Sequence, residues 1–277
     1  MVNYIELDVH VSPKQPGSDL LISELAENGF ESFVETERGF LAYIQEKEFA
    51  DVLVAPINEF TADLGKANFS MKIIPGQNWN AIWEKSYDSI IFSTKLCIRA
   101  PFHEPNLNVE LDVVIQPQQS FGTGHHPTTR LMAEKLLTMS LQGCAVLDMG
   151  CGTGVLAILA SKLGASHVIG IDIESNAVNN AFENASRNNV VDVSIEQGTE
   201  VQIRDRKFDF VLANINKNVL MEAMPTYANA MNSNSHLLLS GFFLTDVDEL
   251  KLVATKNGLQ YISYETDGEW ALIHLAK

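Results

Sequence analysis

Residues 146–174, VLDMGCGTGVLAILASKLGASHVIGIDIE, constrain the fold more tightly than any other stretch of the chain. An apolar strand-like run carries Asp148 and opens into Gly150, Gly152 and Gly154; an amphipathic helical run follows, then a second apolar run that ends in Asp172. Strand, glycine loop, helix and strand in this order form the unit with which parallel α/β sheets hold nucleotides, the ligand lying beyond the carboxyl ends of the strands. The glycine spacing narrows the choice. A dinucleotide loop needs G-x-G-x-x-G, whereas here the third glycine comes one residue early and Val155 holds the expected place. Glycines without a Cβ let backbone N–H groups approach an anionic group closely, and the positive end of the following helix favours that charge. Asp172 stands 22 residues after Gly150, where an acid closing the second strand can accept hydrogen bonds from both hydroxyls of a ribose.

An Asp-x-Gly-x-Gly-x-Gly run that closes a strand resembles the S-adenosylmethionine loop of the Rossmann-like methyltransferases. The resemblance implies that the loop amides meet the methionine carboxylate and that Asp172 meets the ribose. Asp148 would then order the loop or reach the cofactor ammonium.

Length and composition set the outer bounds. A chain of 277 residues has room for one large domain or two modest ones, each with its own core. A formal charge of −16 opposes general affinity for nucleic-acid phosphates and is compatible with a basic protein partner. No apolar run approaches the roughly 18 residues of a membrane span. The start, MVNYIELDVHV, carries acids early and lacks signal-peptide architecture, which together with three unpaired-looking cysteines (Cys97, Cys144, Cys151) leads to the expectation of a cytoplasmic protein. Cys151 lies within the glycine loop, where any small residue suffices.

The first 75 residues pattern as a separate unit in the order βαββαβ: strand 4–11, helix 17–28, strands 31–36 and 40–45, helix 49–64 and strand 69–74. That order predicts a ferredoxin-like sandwich. Residues 76–88 read as a connecting helix with Trp79 and Trp83 one turn apart, packing residues rather than ligand contacts. From residue 89 onward strands are expected at 89–99, 109–115, 191–196, 207–213, 236–240, 259–265 and 269–275, with helices at 175–188, 218–231 and 246–257 and a closing hairpin at Asp267-Gly268. The fold class is therefore α/β: a mostly parallel seven-stranded sheet over residues 89–277, preceded by a ferredoxin-like α+β domain over 1–75 and the connector 76–88.

Two more segments bear on chemistry. FDFVLANINKNVL (208–220) puts Asn214 at the carboxyl end of a strand beside the expected crevice. Enzymes that methylate amide or base nitrogens often carry Asn-Pro-Pro-Tyr there. The Asn214-Ile215-Asn216-Lys217 of this chain lacks the prolines and the aromatic, although its asparagine still offers a carbonyl oxygen to a cofactor or an amine. FGTGHHPTT (121–129) precedes a helix whose first turn holds Pro127, Thr128 and Thr129. Its adjacent histidines have no third ligand at useful spacing, so no metal is expected.

Taken together, GTGHHPTT, the glycine loop and Ala213-Asn214-Ile215 resemble the methyltransferases of large-subunit ribosomal protein eleven, over about residues 119–217 closely and over the first 75 by pattern. That resemblance implies S-adenosylmethionine as cofactor, with Thr129, Gly150, Gly152, Asp172 and Asn214 binding it. It also implies the first domain as the substrate-recognition element, and lysine and N-terminal amines of the ribosomal protein as acceptors. A monomer without direct nucleic-acid contact is expected, and no residue stands out as a dedicated catalytic base. The residues alone leave room for a small-molecule methyltransferase with a regulatory domain, or for a module that binds the cofactor and transfers nothing.

Overall fold

The structure, a computed structural model, describes residues 2–60, 65–76, 84, 86–117 and 122–277. The chain divides into two compact units, Met1–Tyr87 and Asp88–Lys277.

In the first unit β1 (Tyr4–Ser12), α1 (Lys14–Glu27), β2 (Ser32–Thr36), β3 (Gly39–Gln45), a short α2 (Ala55–Asn58) and β4 (Lys66–Ile74) follow one another. The strands pair antiparallel in the order β2-β3-β1-β4, the ferredoxin-like arrangement that the βαββαβ pattern predicts. β1 alternates strictly: Ile5, Leu7, Val9 and Val11 are buried, against Leu21 and Leu25 of α1 and Phe40, Ala42 and Ile44 of β3. The expected helix over 49–64 is not found. Residues 51–54 form a single 3-10 turn, and the α-helical part is limited to 55–58, with residues 61–64 outside the described set. Pro56 is the reason: it fits a first helical turn but would break a helix already running from residue 49. The Trp79–Ser86 connector falls almost wholly outside the described residues.

The second unit opens with a three-stranded sheet, β5 (Ile90–Phe92), β6 (Leu96–Arg99) and β7 (Leu111–Val114). α3 (Pro127–Leu136), β8 (Ala145–Met149), α4 (Val155–Lys162), β9 (His167–Asp172), α5 (Ser175–Arg187), β10 (Val193–Gln197), β11 (Phe208–Asn214), α6 (Lys217–Ala230), β12 (Met231–Phe243), α7 (Val247–Lys256), β13 (Gln260–Asp267) and β14 (Trp270–Ala276) complete it. Seven strands run in the order β10-β9-β8-β11-β12-β14-β13, parallel except for the terminal hairpin. The chain leaves β8 toward one edge and returns to β11 on its other side, so the carboxyl ends of these two strands splay the loops apart and open a crevice.

Alternate residues of the central strands feed two cores. Leu147, Ile169, Val211 and Leu237 pack under α6 and α7, whereas Val146, Val168, Phe210 and Leu238 pack with α3, α4 and the three-stranded sheet. Residues Val155 through Ser161 of α4 are all buried, in place of the amphipathic helix expected from the sequence. The extra sheet accounts for the difference, since it and α3 cover the side of α4 that would otherwise meet water.

An asparagine ladder along α5 anchors the approach to the crevice. The Val114 N–H donates to Asn188 Oδ1 (2.9 Å), and Asn188 Nδ2 donates to Val114 O (2.7 Å) and Asn184 O (2.8 Å), so one side chain pairs with a β7 residue as a neighbouring strand would. Asn188→Ala leaves this donor and acceptor of Val114 without partners. We expect a loss of about 2 kcal/mol in unfolding free energy, read from the urea midpoint at unchanged m.

Candidate functional site

The glycine loop spans the gap between β8 and α4, and its conformation excludes most side chains. Gly150, Gly152 and Gly154 take φ values of +72°, +54° and +78°, and a Cβ on Gly150 would run into Cγ2 of Ile215. Gly154 is the N-cap of α4 and brings no side-chain cap, so the helix presents its first amides toward the loop. Asp148 ties strand to helix: it is 1% exposed, and the Ala157 N–H donates to its Oδ2 at 3.0 Å. Of the two roles offered for it above, the structure shows the ordering one. Burial, reinforced by the nearby Asp172, pushes its carboxyl up to about 7 against the pull of the Ala157 amide. Cys151 is buried and its thiol is pushed up, so it stays protonated.

Asp172 braces the same loop from the next strand. The Gly152 N–H donates to Oδ2 (2.8 Å) and the Glu174 N–H to Oδ1 (3.0 Å), which leaves a second lone pair on each oxygen for an incoming hydroxyl. Thr153, wholly buried, locks the glycine loop to the Gly122–Gly124 turn: its Oγ1 donates to Gly122 O (2.6 Å), while its own carbonyl accepts from Asn184 Nδ2 (3.0 Å).

Asn214, the last residue of β11, is buried. Its Nδ2 lies 3.4 Å from Thr129 Oγ1 on α3, and its Oδ1 has no hydrogen-bond partner. The following Ile215 backbone is overlaid by Gly241 of β12, whose φ is +94° and whose Cβ would collide with Ile215 O. That close approach coincides with the register shift between Ser240 and Phe242 in the β12–β14 pairing.

These loops surround a cavity of about 770 Å³. Gly150, Gly152, Asp172 and Asn214 line it; Thr129 does not, and stands behind Asn214 instead. Sequence reasoning missed several walls: Gly198, Thr199 and Glu200 after β10, Tyr227 of α6, Gly241, and Trp270 of β14. Position at the carboxyl end of a parallel strand was a signal for the Gly198–Glu200 group. Gly241, at the carboxyl end of parallel β12, carried the same signal, whereas Tyr227 and Trp270 come from elements distant in sequence and had none. His126 caps α3, its Nδ1 accepting from the Thr128 N–H (3.3 Å), and its ring meets Trp270 edge-on at 4.6 Å. Burial lowers its pKa. His125 Nε2 lies 2.9 Å from Asp88 O, so the two histidines point to separate tasks. Among the described residues no three His, Cys, Asp or Glu side chains gather as a metal site would require. Phe121 lies outside the described residues.

The cavity suits a nucleoside-sized ligand that carries a positive charge. Gly150 and Gly152 leave bare backbone at the loop end, Asp172, Glu174 and Glu200 give the wall a negative potential, and the buried Asn214 Oδ1 has no hydrogen-bond partner.

Comparison with known proteins agrees with this geometry. The sequence profile of the family described as ribosomal protein L11 methyltransferase (PrmA) matches residues 18–277. The ribosomal protein L11 methyltransferase of Porphyromonas gingivalis is 42% identical over 258 residues, spanning 92% of this chain and 89% of that one. The protein of the same name from Phocaeicola vulgatus is 37% identical over 276 residues, 98% of each chain. Among solved structures, the ribosomal protein L11 methylase of Lactobacillus delbrueckii subsp. bulgaricus superposes with a TM-score of 0.64 at 26% identity, over 69% of this chain and 99% of that one.

Two outcomes follow from the loop geometry. Thr153→Val keeps the side-chain shape but leaves Gly122 O without its donor. Calorimetric titration with S-adenosylhomocysteine is expected to show binding weakened about 3- to 10-fold, with Thr153→Ser close to wild type. The second concerns pH. The folded value of Asp148 lies above its unfolded value, so its contribution to stability is complete below about pH 4, declines as pH rises toward 7, and is flat above. Between pH 5 and pH 8 the unliganded enzyme should therefore lose about 3 kcal/mol more unfolding free energy than Asp148→Asn does, measured by urea denaturation at both values.

Proposed function

The chain belongs to the ribosomal protein L11 methyltransferase family of S-adenosylmethionine-dependent enzymes, and from that premise we propose that it moves methyl groups from S-adenosylmethionine to lysine side-chain amines and the N-terminal amine of ribosomal protein L11. In this reading it acts as a monomer in the cytoplasm and makes no direct contact with nucleic acid. The net charge of −16 speaks for the last point, and no helix among the described residues is long and apolar enough to cross a membrane.

Residues 88–277 hold the cofactor and residues 1–87 select the substrate. Among the described residues, those that line the cavity lie between His126 and Trp270. Gly150 and Gly152, bare of side chains, make room for the methionine end of the cofactor, Asp172 takes the ribose hydroxyls, and Thr129 holds the Asn214 amide in place. When bound, the cofactor supplies an activated methyl group to a nucleophile aligned with it.

The remaining work is alignment and proton removal. A free lysine amine has a pKa near 10.4 and is mostly protonated at neutral pH, so the site must select its neutral form. Desolvation in a half-enclosed cavity lowers that pKa. Asn214 Oδ1, buried and without a partner, is the observation that carries the reading: it accepts one N–H of the neutral amine and aims the nitrogen lone pair. The Ile215 carbonyl, kept near by Gly241, has a second lone pair for the other N–H. His126 does not serve as the base, because its Nδ1 is engaged as an acceptor at the α3 cap and its neutral ring then carries the proton on Nε2.

The test is intact-mass measurement of purified L11 after incubation with the enzyme and S-adenosylmethionine. Mass gains in whole methyl groups, mapped to lysines and the N-terminus, are expected. Asn214→Ala should lower kcat about 100-fold. An L11 that stays unmodified while another acceptor in a cell extract is methylated would overturn the substrate assignment.

A further inference from the structure

Lys217 stands where helix electrostatics disfavours it. It is the first residue of α6, whose N-cap is Asn216 and whose first turn holds no acid, so its ammonium meets the positive end of the helix. Acids from further along the chain offset the mismatch. Lys217 Nζ donates to Asp246 Oδ1 (3.0 Å) and to Glu249 Oε2 (3.1 Å), 29 and 32 residues away. Asp246 closes the 3-10 turn Leu244–Asp246 that follows β12, and Glu249 lies in the first turn of α7. A cation set against its local preference and met by two distant carboxylates serves a tertiary bond rather than its own helix.

That bond joins two stretches of the cavity wall. Asn214, Ile215 and Asn216, the chain immediately before Lys217, line the cavity on one side of it. On the other, Asp246 Oδ2 accepts the Phe243 N–H (3.1 Å), and the Phe243 ring lies on Trp270 with centroids 4.4 Å apart and planes at 32°. Trp270 lines the cavity and meets His126 edge-on. Phe243 is 45% exposed, so the turn that carries it, more than packing, decides where its ring sits. Strand order puts all of this on one side of the crevice. Asp172 ends β9 to one side of β8, whereas Asn214, Gly241 and Trp270 belong to β11, β12 and β14 on the other. In the function proposed above, the first side takes the ribose of the cofactor and the second takes the acceptor amine.

We propose that Lys217 is a positioning residue for methyl transfer: through Asp246 it fixes Phe243, and with it the Trp270 wall on the acceptor side of the cavity, relative to Asn214. The proposal rests on the function proposed above. Lys217 is not among the described residues that line the cavity, so its effect passes through the residues it holds. Transfer needs nitrogen, methyl carbon and sulfur in line, and a displacement of about 1 Å on one side of the cavity is enough to slow it. The effect should therefore fall on turnover and spare the cofactor, whose ribose is held from β9. A surface ion pair with no such task would leave turnover unchanged when removed.

The decisive experiment compares full-length wild type with Lys217→Met, which removes the charge and keeps most of the length, in methyl transfer to purified L11. We expect kcat to fall about 10-fold, with KM for S-adenosylmethionine and affinity for S-adenosylhomocysteine within about 2-fold of wild type. Lys217→Arg, which retains a cation for Asp246, should recover most of the rate. The same loosening is read without an acceptor: hydrogen exchange at the Phe243 amide should quicken about 10-fold in Lys217→Met and slow again in Lys217→Arg. Adding Lys217→Met to Asp246→Ala should cost no further rate, because both break one bond. Lys251→Met removes a different cation of α7, one that lies over the Tyr261 ring, and should keep kcat within about 2-fold. An unaltered kcat in folded Lys217→Met overturns the proposal. So does an equal loss of S-adenosylhomocysteine affinity that Lys217→Arg leaves unrestored, which would make the bond a support of the whole unit. Absence of transfer to L11 by wild type overturns the function reading instead; exchange at Phe243 then still tests the clamp, and an unchanged rate in Lys217→Met overturns it.

Discussion

The hydrogen bond from the Ala157 amide to the buried carboxyl of Asp148 joins the end of β8 to the first turn of α4, and the glycine loop is the chain forced to span what that bond holds together. A loop so short and so constrained must take left-handed conformations at alternate residues, which only glycine does without cost. Its amides are tied down in turn: those of Gly150 and Cys151 donate to Ile171 O, that of Gly152 to Asp172 and that of Gly154 to Cys151 O. Burying a carboxyl there raises its pKa, a destabilisation that the rest of the second unit offsets through two large apolar cores.

Three other chain segments lean on that loop. Asp172 fixes Gly152 from β9, Thr153 carries the Gly122–Gly124 turn, and Asn184 reaches from α5 to the Thr153 carbonyl. Asn184 Oδ1 also accepts the Gln116 N–H at 2.9 Å, so the stretch leading out of β7 and the glycine loop share one buried amide. The pieces of the site are therefore held by polar side chains whose alternative is an unsatisfied buried backbone group. Such networks tolerate little displacement, which is what a site that aligns a nucleophile with a methyl group requires.

The second unit lines its cavity with bare glycine backbone at one end and carboxylates along the wall, and ends its fourth parallel strand in a buried asparagine whose Oδ1 has no hydrogen-bond partner. Carboxylates along the cavity wall favour positive ligands, in keeping with a reaction in which donor and acceptor are each cationic before the amine loses its proton.

Much of this was legible in the order of residues. Periodicity and glycine spacing are local properties, so the strand–loop–helix–strand unit, the mostly parallel sheet with its closing hairpin, and the ferredoxin-like order of the first unit could be read directly. So could the placement of Gly150, Gly152, Asp172 and Asn214 at strand ends around one crevice. Tertiary structure decided what depends on neighbours far along the chain. A three-stranded sheet turned the amphipathic helix expected after Gly154 into a wholly buried one, and Pro56 confined the second helix of the first unit to a single turn. Thr129 was moved from the cavity wall to a support behind Asn214, and Trp270 and Tyr227 were brought in from elements with no motif of their own. Backbone hydrogen bonding and hydrophobic period act over a few residues and leave their mark in sequence. Packing and the partner of a buried polar atom are settled only when distant strands come to lie side by side.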